Sequence, residues 1–369
     1  MPRGARRSGT MPAMAAEAPV PIAEELLSRL AGSPDIYPQK LDLAAQRVLL
    51  VQLDLAAYRA ASFLDDRILG PATKGAWVTA AQANEASNRI ARSRPLHFIF
   101  HTGHVGSTLV SRLLDENGSS LSLREPLPLR TLAEAHDVLE QPDSLLSRSQ
   151  FDQYLALFLR LWGRGYPMTD AVVVKATSSA GRLATPLLTR SEGSRAIYMS
   201  LRPEPYLATL LAGQNSPADL RGHAPERIRR LRSRVSAPTA PLYTMSLGEL
   251  AAMSWLAETS TRREALARFR GRLIAVDFDD FLADVAAGVR LILDHFGLAC
   301  DTRYLADIGH SPVLTRYSKA PEYAYTPDFR AQVLRDSRLH NSAEIRRGMD
   351  WLERQGRESA EIAAIVSGT

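Results

Sequence analysis

The chain has 369 residues, 45% of them hydrophobic and 23% charged, which is the composition of a globular protein long enough to bury a large core. Its formal net charge of +5 suits an anionic small ligand and is too weak an excess to argue for nucleic-acid binding. No apolar run approaches the roughly 18 residues of a membrane span, and the single cysteine, Cys300, excludes both an intrachain disulfide and a cysteine-based zinc site.

In chain order, residues 1–20 combine Pro, Ala and Arg without periodicity and are expected to form a disordered arm, with Met11 and Met14 as alternative initiators. The arm is basic but has no apolar h-region, so a secretory signal is not expected and a cytoplasmic protein is. Residues 21–94 are expected to form a mostly helical N-terminal extension or cap: a helix at Ala23–Leu30, a strand at Arg47–Leu53, and helices at Leu55–Leu64 and Ala76–Ala91. No chemistry-bearing motif falls in that stretch. From residue 95 to 369 strands and helices alternate. Strands are expected at Leu96–His101, Leu121–Arg124, Ala171–Ala176, Arg195–Leu201 and Leu273–Asp277. Helices are expected at Ser107–Asn117, Leu129–Leu139, Phe151–Trp162, Gly181–Arg190, Glu204–Ala212, Leu247–Phe269 and Phe281–Phe296. Such alternation predicts an α/β fold, a parallel sheet with helices on both faces.

Chemistry concentrates in LHFIFHTGHVGSTLVSRLLDEN, residues 96–117. A buried strand runs into a loop with Gly103 and Gly106, and Ser107 and Thr108 follow at a helix start. Glycines let the backbone approach a ligand, and the first helical N–H groups face it with the positive end of the dipole behind them. The two hydroxyls add donors. This is an anion cradle. A Walker A loop, G-x-x-x-x-G-K-[ST], needs a lysine for the β- and γ-phosphates; here Ser107 follows Gly106, no lysine stands in the loop, and its only cation is a conditionally charged His104.

The loop resembles that of the sulfotransferase superfamily, which binds 3′-phosphoadenylyl sulfate with a segment of the form R/K-S-G-T-T-x-L after its first strand. His104-Val105-Gly106-Ser107-Thr108-Leu109 falls on that pattern, with His104 where the family has Lys or Arg. The resemblance implies a P-loop-like domain over residues 95–369. It also implies nucleotide contacts from Gly103, His104, Val105, Gly106, Ser107 and Thr108, and places His104 at the reacting group. A second family signature, R-x-P followed by a helical serine, holds the 3′-phosphate. Arg202-Pro203 lacks the intervening residue, and Thr209 then takes the serine's place. An arginine at a strand end offers a fork of donors to a phosphate.

Lys175 ends an apolar strand, at the carboxyl edge where open α/β sheets bind ligands, and is a candidate for phosphate, sulfate or acceptor. Glu125 follows the second strand, and Pro126 stops helix from running back through it. The resemblance makes Glu125 the base that removes the acceptor proton as the S–O bond forms; its alternative is a structural pair with Arg124 or Arg130. Ser318 and Lys319, in Tyr317-Ser318-Lys319, are expected to close over the nucleotide. Arg346-Arg347-Gly348 resembles the family's R-K-G segment only faintly, in a helical context.

Sulfuryl transfer to a hydroxyl or amine, from 3′-phosphoadenylyl sulfate and without a metal, is therefore the expected activity, on a small-molecule, carbohydrate or peptide acceptor. Phosphoryl transfer usually enlists Mg²⁺ against several negative oxygens, whereas a sulfuryl group carries one charge and needs little more than donors. Asp277, read as a Walker B aspartate, would instead favour an ATP- or GTP-dependent kinase or NTPase. A nucleotide-binding protein without catalysis is the third reading. His101 with His104 has no third ligand nearby, and the basic run Arg221–Arg234 is expected to be a solvated face.

Overall fold

A computed structural model describes residues 20–235 and 240–368. The arm expected over 1–20 lies, but for Val20, outside the described residues.

Among the described residues, eight strands divide between two sheets. Ile36–Asp42 (β1), Arg47–Gln52 (β2) and Gly75–Thr79 (β3) form an antiparallel meander. Leu96–His101 (β4), Ser120–Arg124 (β5), Ala171–Lys175 (β6), Ala196–Ser200 (β7) and Leu273–Asp277 (β8) form a wholly parallel sheet in the order β5-β6-β4-β7-β8. β4 is thus central, and the chain leaves it first to one side and later to the other. The crevice beyond the carboxyl ends of β4 and β7 lies where the strand order reverses, the place where sheets of this kind hold ligands. The α/β class with helices around a parallel sheet is as the sequence predicts.

Every residue of β4, β5, β6 and β7 is buried, so period-2 alternation shows not in polarity but in which core each side chain joins. Phe98, Phe100, Val172, Val174 and Tyr198 face one apolar cluster; Ile99, Val173, Ile197 and Met199 face the other. The first cluster runs without a break into Leu26, Leu30, Ile36, Val48 and Leu50, so the N-terminal segment shares its core with one face of the sheet. Helices Ser107–Glu116, Pro203–Leu211, Leu247–Arg268 and Val285–Phe296 cover the opposite face.

Three features of the N-terminal segment differ from expectation, the first being that the helix expected over Leu55–Leu64 ends at Ala60, where Ala61 turns extended. β1 is unannounced because Pro38 sits within it; the strand tolerates Pro38 as the edge of its sheet, with a register shift between Pro38 and Lys40. The helix expected at Ala76–Ala91 begins as β3, and helix starts only at Ala80, where Thr79 and Gln82 form a capping box. The helix expected over Phe281–Phe296 is two, Phe278–Ala283 and Val285–Phe296, because Asp284 caps the second. The run 221–234 is solvated on one side, where Arg221, Arg229 and Arg232 are exposed, while on the other Arg230 is buried on Glu226 and Glu258 and Arg227 pairs with Asp219. Arg346-Arg347-Gly348 lies in helix Ser342–Glu358, where a Cβ on Gly348 would stand 2.5 Å from the Gly248 carbonyl oxygen; that glycine serves a helix crossing.

Where β5 ends, Arg124 (1% exposed) pairs with Asp115 of the Ser107–Glu116 helix. Asp115 Oδ1 also accepts from Ser122 N at 2.8 Å. Removing one member of a buried pair leaves the other charged in a low-dielectric site. Asp115→Ala is expected to destabilise the fold by about 3–5 kcal/mol in urea denaturation, whereas Glu85→Ala, at the exposed Arg89–Glu85 pair, is expected to leave the midpoint almost unchanged. Equal small effects from both would show that Arg124 does not depend on its carboxylate.

Candidate functional site

The loop between β4 and helix Ser107–Glu116 is built largely from left-handed backbone. Gly103 has φ +101°, His104 +54° and Gly106 +68°. Gly106 is the helix N-cap and supplies no side-chain acceptor, so the first helical N–H groups are left for a ligand. Thr108 Oγ1 is buried without a hydrogen-bond partner, as is Thr102 Oγ1 at the loop's start. Gly106 is required twice over: its φ disfavours a side chain, and a Cβ there would stand 2.0 Å from Phe278 Cε2.

His101 fixes the loop's first turn. Its Nε2–H donates to Ala176 O at 2.9 Å and its Nδ1 accepts from Gly103 N at 3.0 Å. Both nitrogens are thus committed within the protein. Tyr206 Oη donates to Thr102 O at 3.2 Å from the helix after β7. His104 lines a cavity of about 570 Å³, as does His101, together with Val105, Gly106, Ser107, Thr108 and Thr209. The far wall comes from residues 313–334, among them Arg316, Tyr317, Ser318, Lys319 and Arg330. Phe278 closes the cavity beside Gly106, with the Arg330 guanidinium 5.1 Å from its ring centroid and 2.8 Å from Asp279.

As the loop stands, His104 is not a cation at neutral pH. Burial pushes its imidazole down to about 4, and the neighbouring Lys319 ammonium adds to that push. The charge expected on His104 resides instead on the lysines around it.

Glu125 and Lys175 are brought into direct contact. They form an ion pair, and Glu125 N donates to Lys175 O at 2.7 Å. The pair follows from sheet register, since Arg124 of β5 stands opposite Lys175 of β6. The structural partners considered for Glu125 are elsewhere: Arg124 is on Asp115, and Arg130 is on Glu134 at 3.1 Å. Burial lowers the fully buried Lys175 ammonium, and the Glu125 carboxylate opposes that shift. Glu125 has φ +54°. Only four non-glycine described residues have positive φ, and His104 and Glu125 are two of them; such strain, about 1–3 kcal/mol each, persists where surrounding contacts over-determine it.

Not every expected residue reaches the cavity. Arg202 is exposed at the N-cap of helix Pro203–Leu211 and is not among the lining residues, and neither are Gly103, Glu125 and Lys175; Thr209 is, with its hydroxyl donating to Pro205 O at 2.7 Å. Asp277 serves as a helix N-cap, its Oδ1 accepting from Asp279 N at 2.8 Å and Asp280 N at 3.2 Å, and it is not among the residues lining the cavity. Sequence reasoning missed Phe278, Arg316 and Arg330. For the two arginines the only signal was the dense mixture of aromatic and basic residues in TRYSKAPEYAYTPDFR, and nothing marked Phe278.

No family profile matches the chain, and no curated protein does. Among solved structures it is similar to the sulfotransferase domain from the curacin biosynthetic pathway, at 16% identity over 71% of this chain and 99% of that one, with a TM-score of 0.39. It is similar to a sulfotransferase from Alicyclobacillus acidocaldarius, at 16% identity over 69% and 97%, TM-score 0.37. A mouse sulfotransferase complexed with PAP matches at 11% identity over 74% and 89%, TM-score 0.38. Its structural neighbours are sulfotransferases. Likenesses this distant assign no activity, and the strand order and loop geometry above stand without them. Among the described residues no helix is long and apolar enough to cross a membrane.

Four histidines, of which His97 and His101 are buried, His136 is half-buried and His104 faces the cavity, make stability depend on pH. Burial lowers His97, His104 and His136 to about 4 and His101 well below the usual imidazole range. In the unfolded chain each titrates near 6.5. Below that pH the unfolded state therefore takes up protons that the folded state refuses, so stability is complete above about pH 6.5 and falls as the pH drops toward 4. Urea midpoints between about pH 7 and 4.5, above most carboxylate titration, are expected to decline steadily. A midpoint constant across that window would mean these imidazoles accept protons in the fold.

Proposed function

We propose that this chain transfers a sulfuryl group from 3′-phosphoadenylyl sulfate to a hydroxyl or amine acceptor. One observation carries the reading: a lysine-free cradle of N–H groups and hydroxyls opens on a nucleotide-sized cavity, beside a carboxylate paired with a buried lysine. The orphaned Thr108 hydroxyl and the uncapped helix start fit an anion.

In this reading Gly103, Val105 and Gly106 shape the loop, while Ser107, Thr108 and their backbone N–H groups hold the 5′-phosphate and sulfate. His104 faces the same anion as a neutral donor. Its imidazole gains charge only if the bound anion overcomes burial. Thr209, Ser318 and Lys319 enclose the nucleotide from the other side. Arg316 and Arg330, which line the cavity, are better placed than Arg202 to meet the 3′-phosphate. Glu125 takes the acceptor proton as the new S–O bond forms, and the ion pair with Lys175 holds that carboxylate in place. Residues 21–94 act as a cap on the catalytic domain of residues 95–369, in a cytoplasmic protein whose acceptor is a small molecule, carbohydrate or peptide.

Adenosine 3′,5′-bisphosphate, added without metal, is expected to raise the melting temperature, because a ligand bound only by the folded state stabilises it by mass action. ATP with Mg²⁺ is expected to do less. A larger shift from ATP with Mg²⁺ would overturn sulfuryl transfer in favour of phosphoryl transfer, and no shift from either would overturn nucleotide binding.

A further inference from the structure

Residues 102–108 contain no permanently charged side chain, yet a cradle for the anionic end of a nucleotide is strengthened greatly by a full positive charge. Lys319 lines the same cavity as His104, Gly106, Ser107 and Thr108. Its side chain makes no hydrogen bond or ion pair with any described residue. The charged groups it senses are Glu125, Arg67 and Asp219, and it is in turn the strongest electrostatic influence on His104. A half-buried ammonium with no carboxylate in contact is costly, and an anion seated on the loop would offset that cost.

The backbone beside Lys319 is bolted down. Ser318 O accepts from Arg112 Nε at 2.9 Å and from Ser62 Oγ at 3.4 Å. Arg112 belongs to the helix whose start is the cradle, and its remaining N–H groups reach Arg59 O and Ala60 O at 3.3 Å and Ser62 Oγ at 2.8 Å. One guanidinium therefore joins the cradle helix, the N-terminal segment and the C-terminal segment that carries Lys319.

We infer that Lys319 is the cation of the loop, supplied from the C-terminal segment in place of a loop lysine, and that Arg112 with Ser62 are positioning residues that hold it over the cradle. The inference rests on the sulfuryl-transfer reading. In that reaction the acceptor oxygen bonds to sulfur and the bond from sulfur to the 5′-phosphate oxygen breaks. The electron pair stays on that oxygen, and the acceptor proton passes to Glu125. Lys319 meets the charge that arrives on the departing phosphate.

Calorimetric titration with adenosine 3′,5′-bisphosphate and with adenosine 3′-monophosphate, which lacks the 5′-phosphate, tests it. Lys319→Ala is expected to weaken the bisphosphate by about ten- to a hundredfold, the range for losing a charged hydrogen bond, and to leave the monophosphate unchanged. Lys319→Arg is expected to restore most of the loss. Ser62→Ala and Arg112→Gln are expected to weaken the bisphosphate alone, by smaller factors; if Arg112→Gln fails to fold, Ser62→Ala decides the positioning role. Bisphosphate binding by Lys319→Ala at the wild-type level, or equal losses for both ligands, would overturn the assignment of Lys319. Losses of both ligands alike in Ser62→Ala would overturn the positioning role. Failure of the wild-type chain to bind the bisphosphate would overturn the nucleotide reading itself, and this inference with it.

Discussion

Buried arginines that grip main-chain carbonyls are the constraint on which the rest of this structure depends. A helix ends with carbonyls that have no partner inside it, and a guanidinium presents five N–H donors in one plane to receive them. Arg164, 6% exposed, donates to Leu30 O at 2.6 Å, Ser33 O at 2.9 Å and Ile36 O at 2.7 Å, closing the end of the first helix. Arg124 donates to Tyr58 O at 3.0 Å and Ala61 O at 2.9 Å, and Arg112 takes the carbonyls between them. Burial brings Arg164 down to about 10, so the cation survives at neutral pH. A lysine has fewer donors and gives up its proton more readily when buried. Only four of the 45 basic residues are lysines, and part of that imbalance has this structural use.

Anchoring the N-terminal segment this way also determines the geometry of the reacting groups. Arg124 and Glu125 are neighbours in sequence with opposite duties. Arg124 points into the interior and holds a helix end; Glu125 turns through a left-handed residue to meet Lys175. The strained backbone at Glu125 is held from both sides, by the ladder hydrogen bond to Lys175 O and by the ion pair to its side chain. Nearby, Phe63 lies under the Arg67 guanidinium at 3.8 Å and 5.8 Å from Lys175 Nζ, so the N-terminal segment packs against the Glu125–Lys175 pair as well as buttressing the sheet.

Much of the parallel sheet was legible because fully buried strands such as LHFIFH and AVVVK leave no ambiguity of burial. The glycine loop was legible for the same reason, with its hydroxyls at the helix start. What was not legible depends on distance. Glu125 and Lys175 each stood out alone, but their contact arises from which strand lies beside β5, and that order is not written in either segment. Arg202 satisfied a local pattern, yet its placement at a helix N-cap leaves it in solvent while Arg316 and Arg330 arrive from the C-terminal segment. In the N-terminal segment, Pro38 masked a strand, and the alanine-rich run after Trp77 imposed a helical reading on residues that pair with β2.

The contact between Gly106 and Phe278 has a consequence for how such a protein changes over generations. The two positions are remote in sequence but share one van der Waals volume, since any Cβ at 106 occupies space held by the ring. A mutation at 106 arising first meets both the ring and the left-handed backbone, while a smaller side chain arising first at 278 uncovers the cradle. The two positions are therefore coupled but not exchangeable: a smaller residue at 278 would free the space for a side chain at 106, yet the left-handed backbone there would still disfavour one, so the glycine is locked in by two separate causes.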